Sequence, residues 1–439
     1  MKRTIEEELK NWKENPDRKP LLIRGARQVG KTYIIERFGK ECFDSMVTVN
    51  FEEKKSVKNA FNDDLDPKVI LRDLSARLNE PIVPGKTLLF LDEIQACPNA
   101  LLSLRFFKEK MPELHVIAAG SLLEFILGDD QFSFPVGRIE SCYLRPLSFY
   151  EFLKAKQENE ALAWIQEATP SKPIGRATHD KLLETVREYF IIGGMPEAVE
   201  YFLKNNQFIQ LDSIHHNLMN TYVSDFGKYP KTAQQKFMKL LFEAAPRLVG
   251  EHFKYAKIHP HAQSRDYMEA IDVLDRTGIL HRIYANPGAG IPLESQLKEK
   301  KFKLLFLDIG LLPHPIATIL DAQNLVHVDS GKVAEQFVGQ ELVAYDKPHH
   351  RSLLYYWQRE KKGAEAEVDY LIEVDSEIIP IEVKAKKGTG LRSLRQFMQE
   401  KQSKVGLRIC QEPLAMKDQI LSVPFYMLHE IPRLVRLFL

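Results

Sequence analysis

The run Gly25-Ala26-Arg27-Gln28-Val29-Gly30-Lys31-Thr32 follows the apolar stretch Leu21-Leu22-Ile23 and precedes a helix-like segment, Tyr33 to Phe38. Two glycines at this spacing let the backbone curl until consecutive N–H groups point at one anion. A lysine then reaches the β- and γ-phosphates, and the next hydroxyl joins the shell of a Mg2+ ion. The pattern predicts that Gly25, Gly30, Lys31 and Thr32 bind a nucleoside triphosphate, with the helix N-terminus adding its positive end. A second apolar run, Leu88-Leu89-Phe90-Leu91, ends in Asp92-Glu93. Beside a phosphate loop, Asp92 is suited to hold Mg2+ and Glu93 to polarise water for in-line attack; alone, the pair reads as solvated acids at a strand end. The run His115 to Ser121 leaves a hydroxyl at its end. Ser121 either senses the γ-phosphate or caps the helix that begins at Leu122.

A second set of reactive types lies near the C-terminus. Asp369 sits in Glu367-Val368-Asp369-Tyr370-Leu371-Ile372, and Glu382 and Lys384 in Ile381-Glu382-Val383-Lys384, after a turn at Asp375-Ser376. Strand alternation puts Glu382 and Lys384 on one face, and a hairpin brings Asp369 across from Glu382. That is the side-chain geometry of a two-carboxylate metal site. A salt-bridged strand pair, with Lys384 neutralising the acids, is the competing reading.

These groups need elements to position them. From Leu21 to about Phe152, short apolar strands (Leu21–Ile23, Val47–Phe51, Leu88–Leu91, Val116–Ala119, Ile139–Leu144) alternate with helical patterns, which implies a parallel sheet covered by helices. A helical period takes over from about Asp180. The polar stretch Glu158 to Thr178, with Pro170 and Pro173, reads as the loop or hinge between the two regions. After Asn286-Pro287-Gly288-Ala289-Gly290, read as a flexible link, the pattern is mixed again. A helix at Val333–Tyr345 precedes strands near Leu353–Trp357, Val368–Val374 and Ile378–Lys384, then a helix at Leu391–Glu400 and a strand near Val405–Ile409. The expected division is 1–157, 178–290 and 291–439.

The chain has 439 residues, enough for two or three cores, and its 61 basic and 60 acidic side chains leave no whole-molecule field for nucleic acid or membrane. Four scattered cysteines without a CxxC pair argue against a zinc site or disulfide framework. With no apolar leader or membrane-length run, a cytoplasmic location is expected.

The phosphate loop, the LLFLDE acids, the AAGS strand end, Gly137-Arg138, Leu144-Arg145-Pro146-Leu147-Ser148-Phe149-Tyr150-Glu151-Phe152 and Gly193-Gly194-Met195-Pro196-Glu197 together resemble bacterial and archaeal AAA-type ATPases with a C-terminal DUF4143 domain. The resemblance spans nearly the whole chain. It implies a P-loop NTPase sheet, then a helical and winged-helix segment, then a restriction-endonuclease-like α/β domain. It makes Arg138 the candidate arginine that approaches the γ-phosphate. It relates the tail to the PD-(D/E)xK nucleases, where the acids Asp369 and Glu382 would hold Mg2+, Lys384 would orient the attacking water, and Glu335 would be the acid of the preceding helix. Val368 stands where the proline of that motif's name would be.

The winged-helix reading takes Gln235–Ala244, Phe253–Ile258 and Ser264–Thr277 as helices and Ile279–Ala285 as the wing. Its third helix carries Asp266, Glu269, Asp272 and Asp275 against Arg265 and Arg276, a face that repels phosphates, so packing is favoured over DNA reading there. Lys254, Lys257, His259 and His261 form a small basic patch or a solvated face. Three functions follow: an ATP-hydrolysing switch with ATP and Mg2+ as cofactors, the same switch gating a nuclease, or a nucleotide-dependent binding scaffold. Expected partners are ATP and either DNA or a protein, with a homo-oligomer compatible with an AAA-type core.

Overall fold

Five parallel strands carry the phosphate loop: β1 Leu21–Arg24, β2 Ser45–Asn50, β3 Thr87–Asp92, β4 His115–Ala119 and β5 Glu140–Tyr143, in the order β2-β3-β4-β1-β5. The computed structural model describes residues 1–62, 64–120, 123, 137–229, 231–258, 264–313, 330–359, 366–385 and 390–439. Every residue of β3 and β4 is buried, as continuous apolar runs in a parallel sheet require. The helices Lys31–Cys42, Pro67–Leu78 and Pro98–Lys110 belong to the same unit, and two of them start at a proline. Proline suits the first helical turn because its missing N–H has no intrahelical partner there. Asp66 caps the second of these helices by accepting from the Lys68 N–H. Val47, Val49, Leu89, Leu91, Leu101, Leu104 and Phe107 pack into one core. Because the strands run parallel, the loop after β1 and the acids after β3 leave the sheet at the same edge, where α/β proteins place ligands.

The chain divides into two compact units. The first is Met1–Arg145 with Arg276–Gly278 and Lys347–Arg351; the second is Pro146–Asp275, Ile279–Asp346 and Ser352–Leu439. In the second, a mixed eight-stranded sheet has the order β12-β13-β11-β10-β9-β8-β6-β7. Its strands are β6 Leu280–Asn286, β7 Lys298–Phe306, β8 Leu354–Gln358, β9 Glu367–Val374, β10 Glu377–Lys384, β11 Gly406–Cys410, β12 Ala415–Lys417 and β13 Ile420–Pro424. The helix Ser330–Tyr345 packs on β7 and β10, and the helix Arg392–Lys401 on β9, β10 and β11.

Three expectations change here. The expected wing is built into this sheet, because β6 pairs antiparallel with β7 and parallel with β8, and the division at 290/291 falls between two paired strands. The link Asn286–Gly290 is pinned: Asn286 is buried, donates to the Leu293 carbonyl and accepts from the Gly288 N–H. The polar stretch Glu158–Thr178 contains the helix Asn159–Glu167, whose Ala161, Leu162 and Ile165 are buried. Proline content signalled a loop there; the apolar spacing within it won.

Buried carboxylates hold the second unit together. Asp308 accepts from the Gly194 N–H at 2.7 Å, the Gly310 N–H at 2.9 Å and Gln340 Nε2 at 3.1 Å. Glu341 accepts from the Phe149 N–H at 3.0 Å and from the Tyr345 hydroxyl. Burial pushes the Asp308 carboxyl up to about 7 and that of Glu341 up to about 8. Among the described residues, no helix is long and apolar enough to cross a membrane.

Candidate functional site

The phosphate loop is shaped by backbone that few residues tolerate. Gly25 has φ +139°, and a Cβ there would lie 2.1 Å from the Leu144 carbonyl oxygen. Gly30, at φ 97°, leads into the helix Lys31–Cys42. Both positions lie in the region that favours glycine, which is why the spacing of the two glycines sets the loop. Lys31, 8% exposed, folds back inside this loop and donates to the carbonyls of Gly25 at 2.9 Å and Ala26 at 2.8 Å. Burial lowers its ammonium to about 8, although Glu93 and Asp92 pull the other way.

Across the edge, Thr32 Oγ1 donates to Asp92 Oδ2 at 3.1 Å. Asp92 is buried, and its carboxyl is raised by that burial and by neighbouring Glu93. Its other oxygen accepts from the Glu93 N–H at 3.0 Å. Glu93 has φ 49°, a left-handed turn at the end of β3, and its carboxylate accepts from Gln95 Nε2 at 2.6 Å. These residues fit Mg2+: a hydroxyl and a carboxylate already share one hydrogen bond at the loop, and the phosphates supply the remaining oxygens in such sites.

Two participants carried no signal in the sequence. Asn50, at the end of β2, donates to Asp92 Oδ2 at 3.3 Å. Gln95 anchors Glu93, while its own Oε1 is buried without a hydrogen-bond partner among the described residues. Parallel pairing of Asn50 with Asp92 in adjacent strands is what brings the amide there, and sequence separation hides it. Ser121 lies outside the described residues. Arg138 is turned to Glu109, with Nε 3.0 Å from Oε1 and its side chain 54% exposed. The structure thus shows it on a surface ion pair with the helix Pro98–Lys110, where two opposite charges at an exposed site were free to meet.

In the second unit the predicted acids meet, in an altered form. The register that pairs Ile381 with Tyr370 sets Glu382 beside Asp369, and Asp369 Oδ2 accepts from the Val383 N–H at 2.7 Å. A register irregularity between β8 and β9, where Tyr355 faces Leu371 but Trp357 faces Val368, falls at Asp369; such bulges re-aim side chains. Lys384 Nζ is 2.6 Å from Glu382 Oε1. Glu335, Asp369 and Glu382 feel one another's charge, and burial first, then that mutual repulsion, raises Glu335 to about 8 and Glu382 to about 7. Yet among the described residues no three His, Cys, Asp or Glu side chains form a group that suits a metal ion. Two ammoniums stand in the cluster instead, Lys384 and Lys303. Lys303, on β7, contacts Glu367 at 2.5 Å and Glu335 at 3.8 Å. The nuclease-type metal site expected from spacing is therefore not what these residues fit as arranged. Lys303 and His252, the latter 2.8 Å from Glu367, carried no motif signal, because both are distant in sequence from the acids they meet.

The acids of the helix Ser264–Arg276 are used internally. Asp272 and Asp275 bond Arg282 at 2.8 and 2.6 Å, and Glu269 bonds Tyr229 at 3.0 Å and Lys231 at 2.7 Å. Lys257 is paired with Glu251; His259 and His261 lie outside the described residues.

Comparison with known proteins gives three family matches: an AAA domain over residues 17–153, DUF8612 over 183–319 and DUF4143 over 330–426, the last two being domains of unknown function. Among solved structures, the chain is similar to the Walker-type ATPase PABY2304 of Pyrococcus abyssi, with 15% identity, 72% of this chain and 94% of that chain covered, and a TM-score of 0.41. It is also similar to Aeropyrum pernix Orc1 in complex with DNA (13% identity, 73% and 92% covered, TM-score 0.28). A third is AMPPCP-bound DnaA of Aquifex aeolicus (13% identity, 61% and 85% covered, TM-score 0.27). No curated protein matches the chain.

Proposed function

We infer that this chain, whose residues 17–153 form an AAA-type ATPase domain and whose residues 330–426 form a DUF4143 domain, is a Mg2+-dependent ATP-hydrolysing switch. The observation that carries the reading is the Thr32 hydroxyl bonded to the Asp92 carboxylate at 3.1 Å, beside a lysine folded into the loop. ATP would draw Lys31 away from the Gly25 and Ala26 carbonyls and onto phosphate oxygens, exchanging two neutral acceptors for an anion. Thr32 and Asp92 would hold Mg2+, which supplies charge neutralisation at the phosphates. Asn50 and the Glu93 N–H fix the Asp92 carboxylate from both sides. Glu93, steadied by Gln95, is the base that orients water, and proton acceptance at its carboxylate is the chain's own chemical contribution.

Ser121 stays in this reading as a phosphate contact, because it follows β4, the strand between β1 and β3. Arg138 has no role while it is paired with Glu109. The helix Ser264–Arg276 is read as packing and not as a DNA-reading element, since its acids are tied to Arg282, Tyr229 and Lys231. DNA or a protein remains the proposed partner class for the switch, a homo-oligomer its proposed assembly, and the cytoplasm its proposed location. No cleavage step is assigned to the acidic cluster of the second unit.

Phosphate release from ATP, measured for the parent, Lys31→Ala and Glu93→Gln with Mg2+ and with EDTA, tests the reading. Release at the full rate is expected only from the parent with Mg2+. A fluorescent ATP analogue should bind the Glu93 variant and fail to bind the Lys31 variant, and the Glu93 change should slow hydrolysis by about 10²-fold or more. A parent that binds ATP but releases no phosphate, with or without nucleic acid, would overturn it in favour of a binding scaffold.

A further inference from the structure

Lys303 is 3% exposed, a depth at which an unpaired ammonium is strongly disfavoured. Its surroundings compensate. Nζ lies 2.5 Å from Glu367 Oε1 and 3.8 Å from Glu335 Oε2, and 5.2 Å from the centre of the Tyr356 ring. Burial works to lower its pKa, yet Glu335, Glu367 and Asp369 raise it above the ordinary lysine value. The outcome is opposite to that for Lys31, where burial prevails.

The cluster also has more carboxyl than ammonium groups. Glu335, Glu367, Asp369 and Glu382 face Lys303 and Lys384, with His252 on the outer oxygen of Glu367. One ligand atom is spare: Glu382 is 6% exposed, its Oε1 is bonded to Lys384, and its Oε2 is buried with no hydrogen-bond partner among the described residues. Carboxylate oxygens are the ligands of hard divalent cations, but the described residues hold an ammonium among them.

We propose that the ammonium of Lys303 is a built-in cation, standing among Glu335, Glu367 and Asp369 in the place of a divalent metal, and that replacing it with an uncharged side chain opens a Mn2+ site. The wild-type cluster is filled from within. Lys303 reaches it from β7, on the far side of β6 and β8 from the acids of β9, so the cation is supplied by the residues 183–319 match and the acids by the DUF4143 match. Residues 330–426 are thereby bound to residues 183–319 by charge as well as by the pairing of β8 with β6.

The test uses the full chain without nucleotide, in an Asp92→Ala background that silences the phosphate loop, with Mn2+ binding followed by electron paramagnetic resonance. Lys303→Met should gain one Mn2+ site at least tenfold tighter than anything in the background protein. Adding Asp369→Asn should abolish it, and Lys303→Arg, which keeps the charge, should not create it. If Lys303→Met is poorly folded alone, its melting temperature should rise with Mn2+, whereas that of Lys303→Met with Glu367→Gln, which removes one charge of each sign, should be higher from the outset and respond less. The proposal is overturned if the background protein already binds Mn2+ in a way that Asp369→Asn removes, or if Lys303→Met gains neither affinity nor thermal response.

Discussion

Replacing Lys31 with methionine should abolish ATP binding and at the same time leave the empty protein at least as stable as the parent. The ammonium is 8% exposed and pushed down from 10.5 to about 8, burial being the largest cause. At ~1.4 kcal/mol for each tenfold change in proton affinity, keeping it charged in the folded state costs about 3 kcal/mol. Methionine fills a similar volume without the charge. It also forfeits the bonds to the Gly25 and Ala26 carbonyls, each about 0.5–1.5 kcal/mol, so the net gain at pH 7 is about 1 kcal/mol. The folded-state value of about 8 lies below the unfolded value near 10.5. Between those limits the unfolded chain binds more protons, so parental stability rises with pH and overtakes the variant by pH ~10.5. Urea titration with pulsed labelling of Cys97 and Cys142, both buried in the first unit, reads its unfolding at any of these pH values. Saturating Mg-ATP at about a hundred times its Kd should add about 2.7 kcal/mol to the parent and nothing to the variant. A variant more than about 1 kcal/mol less stable than the parent at pH 7, or a gap that stays constant from pH 8 to 10.5, would refute the reasoning.

Gly25→Ala meets the Leu144 carbonyl at 2.1 Å in a backbone conformation with φ +139°; a loss of about 2 kcal/mol or more and at least tenfold weaker binding of an ATP analogue are expected, and unchanged affinity would count against the loop geometry. Glu341→Gln tests the buried carboxylates: with a folded value near 8 above an ordinary 4.5, the parent's second unit should lose stability as pH rises from about 4.5 to 8, by at most ~1.4 kcal/mol per pH unit from this group, and the variant should show a shallower fall when labelling of buried Cys410 follows unfolding. Equal slopes would show that Glu341 does not titrate in that window. Ser148→Ala removes one half of a capping box in which Ser148 accepts from the Glu151 N–H and Glu151 from the Ser148 N–H; about 1 kcal/mol should be lost in a urea titration of the second unit, and no loss would mean that solvent replaces the cap.

The nucleotide site was legible because its chemistry is local. Gly25, Gly30, Lys31 and Thr32 are separated by a few residues whose backbone must take one shape, and the five strands of the first sheet lie within about two residues of where their apolar runs place them. Legibility fell where partners are distant in sequence. Asn50 and Gln95 are polar residues of common type, and only the pairing of β2 with β3 and the turn at Glu93 give them a function. Arg138 illustrates the converse: a motif neighbour that an exposed carboxylate on Glu109 holds elsewhere.

In the second unit the sequence determined the hairpin of β9 and β10, because alternation over apolar strands leaves Asp369, Glu382 and Lys384 little choice of position. The salt bridge of Lys384 to Glu382, the competing reading of that strand, is in place at 2.6 Å; which further charge would meet the acids was a tertiary decision. β6 and β7, whose apolar patterns are equally at home in a free wing, join the sheet through β8, and Lys303 arrives with them. A strand's sequence states which face it must bury; it does not state against which strand. Electrostatics acts through space, so Glu335 and Glu367 meet a buried lysine that no local pattern announces.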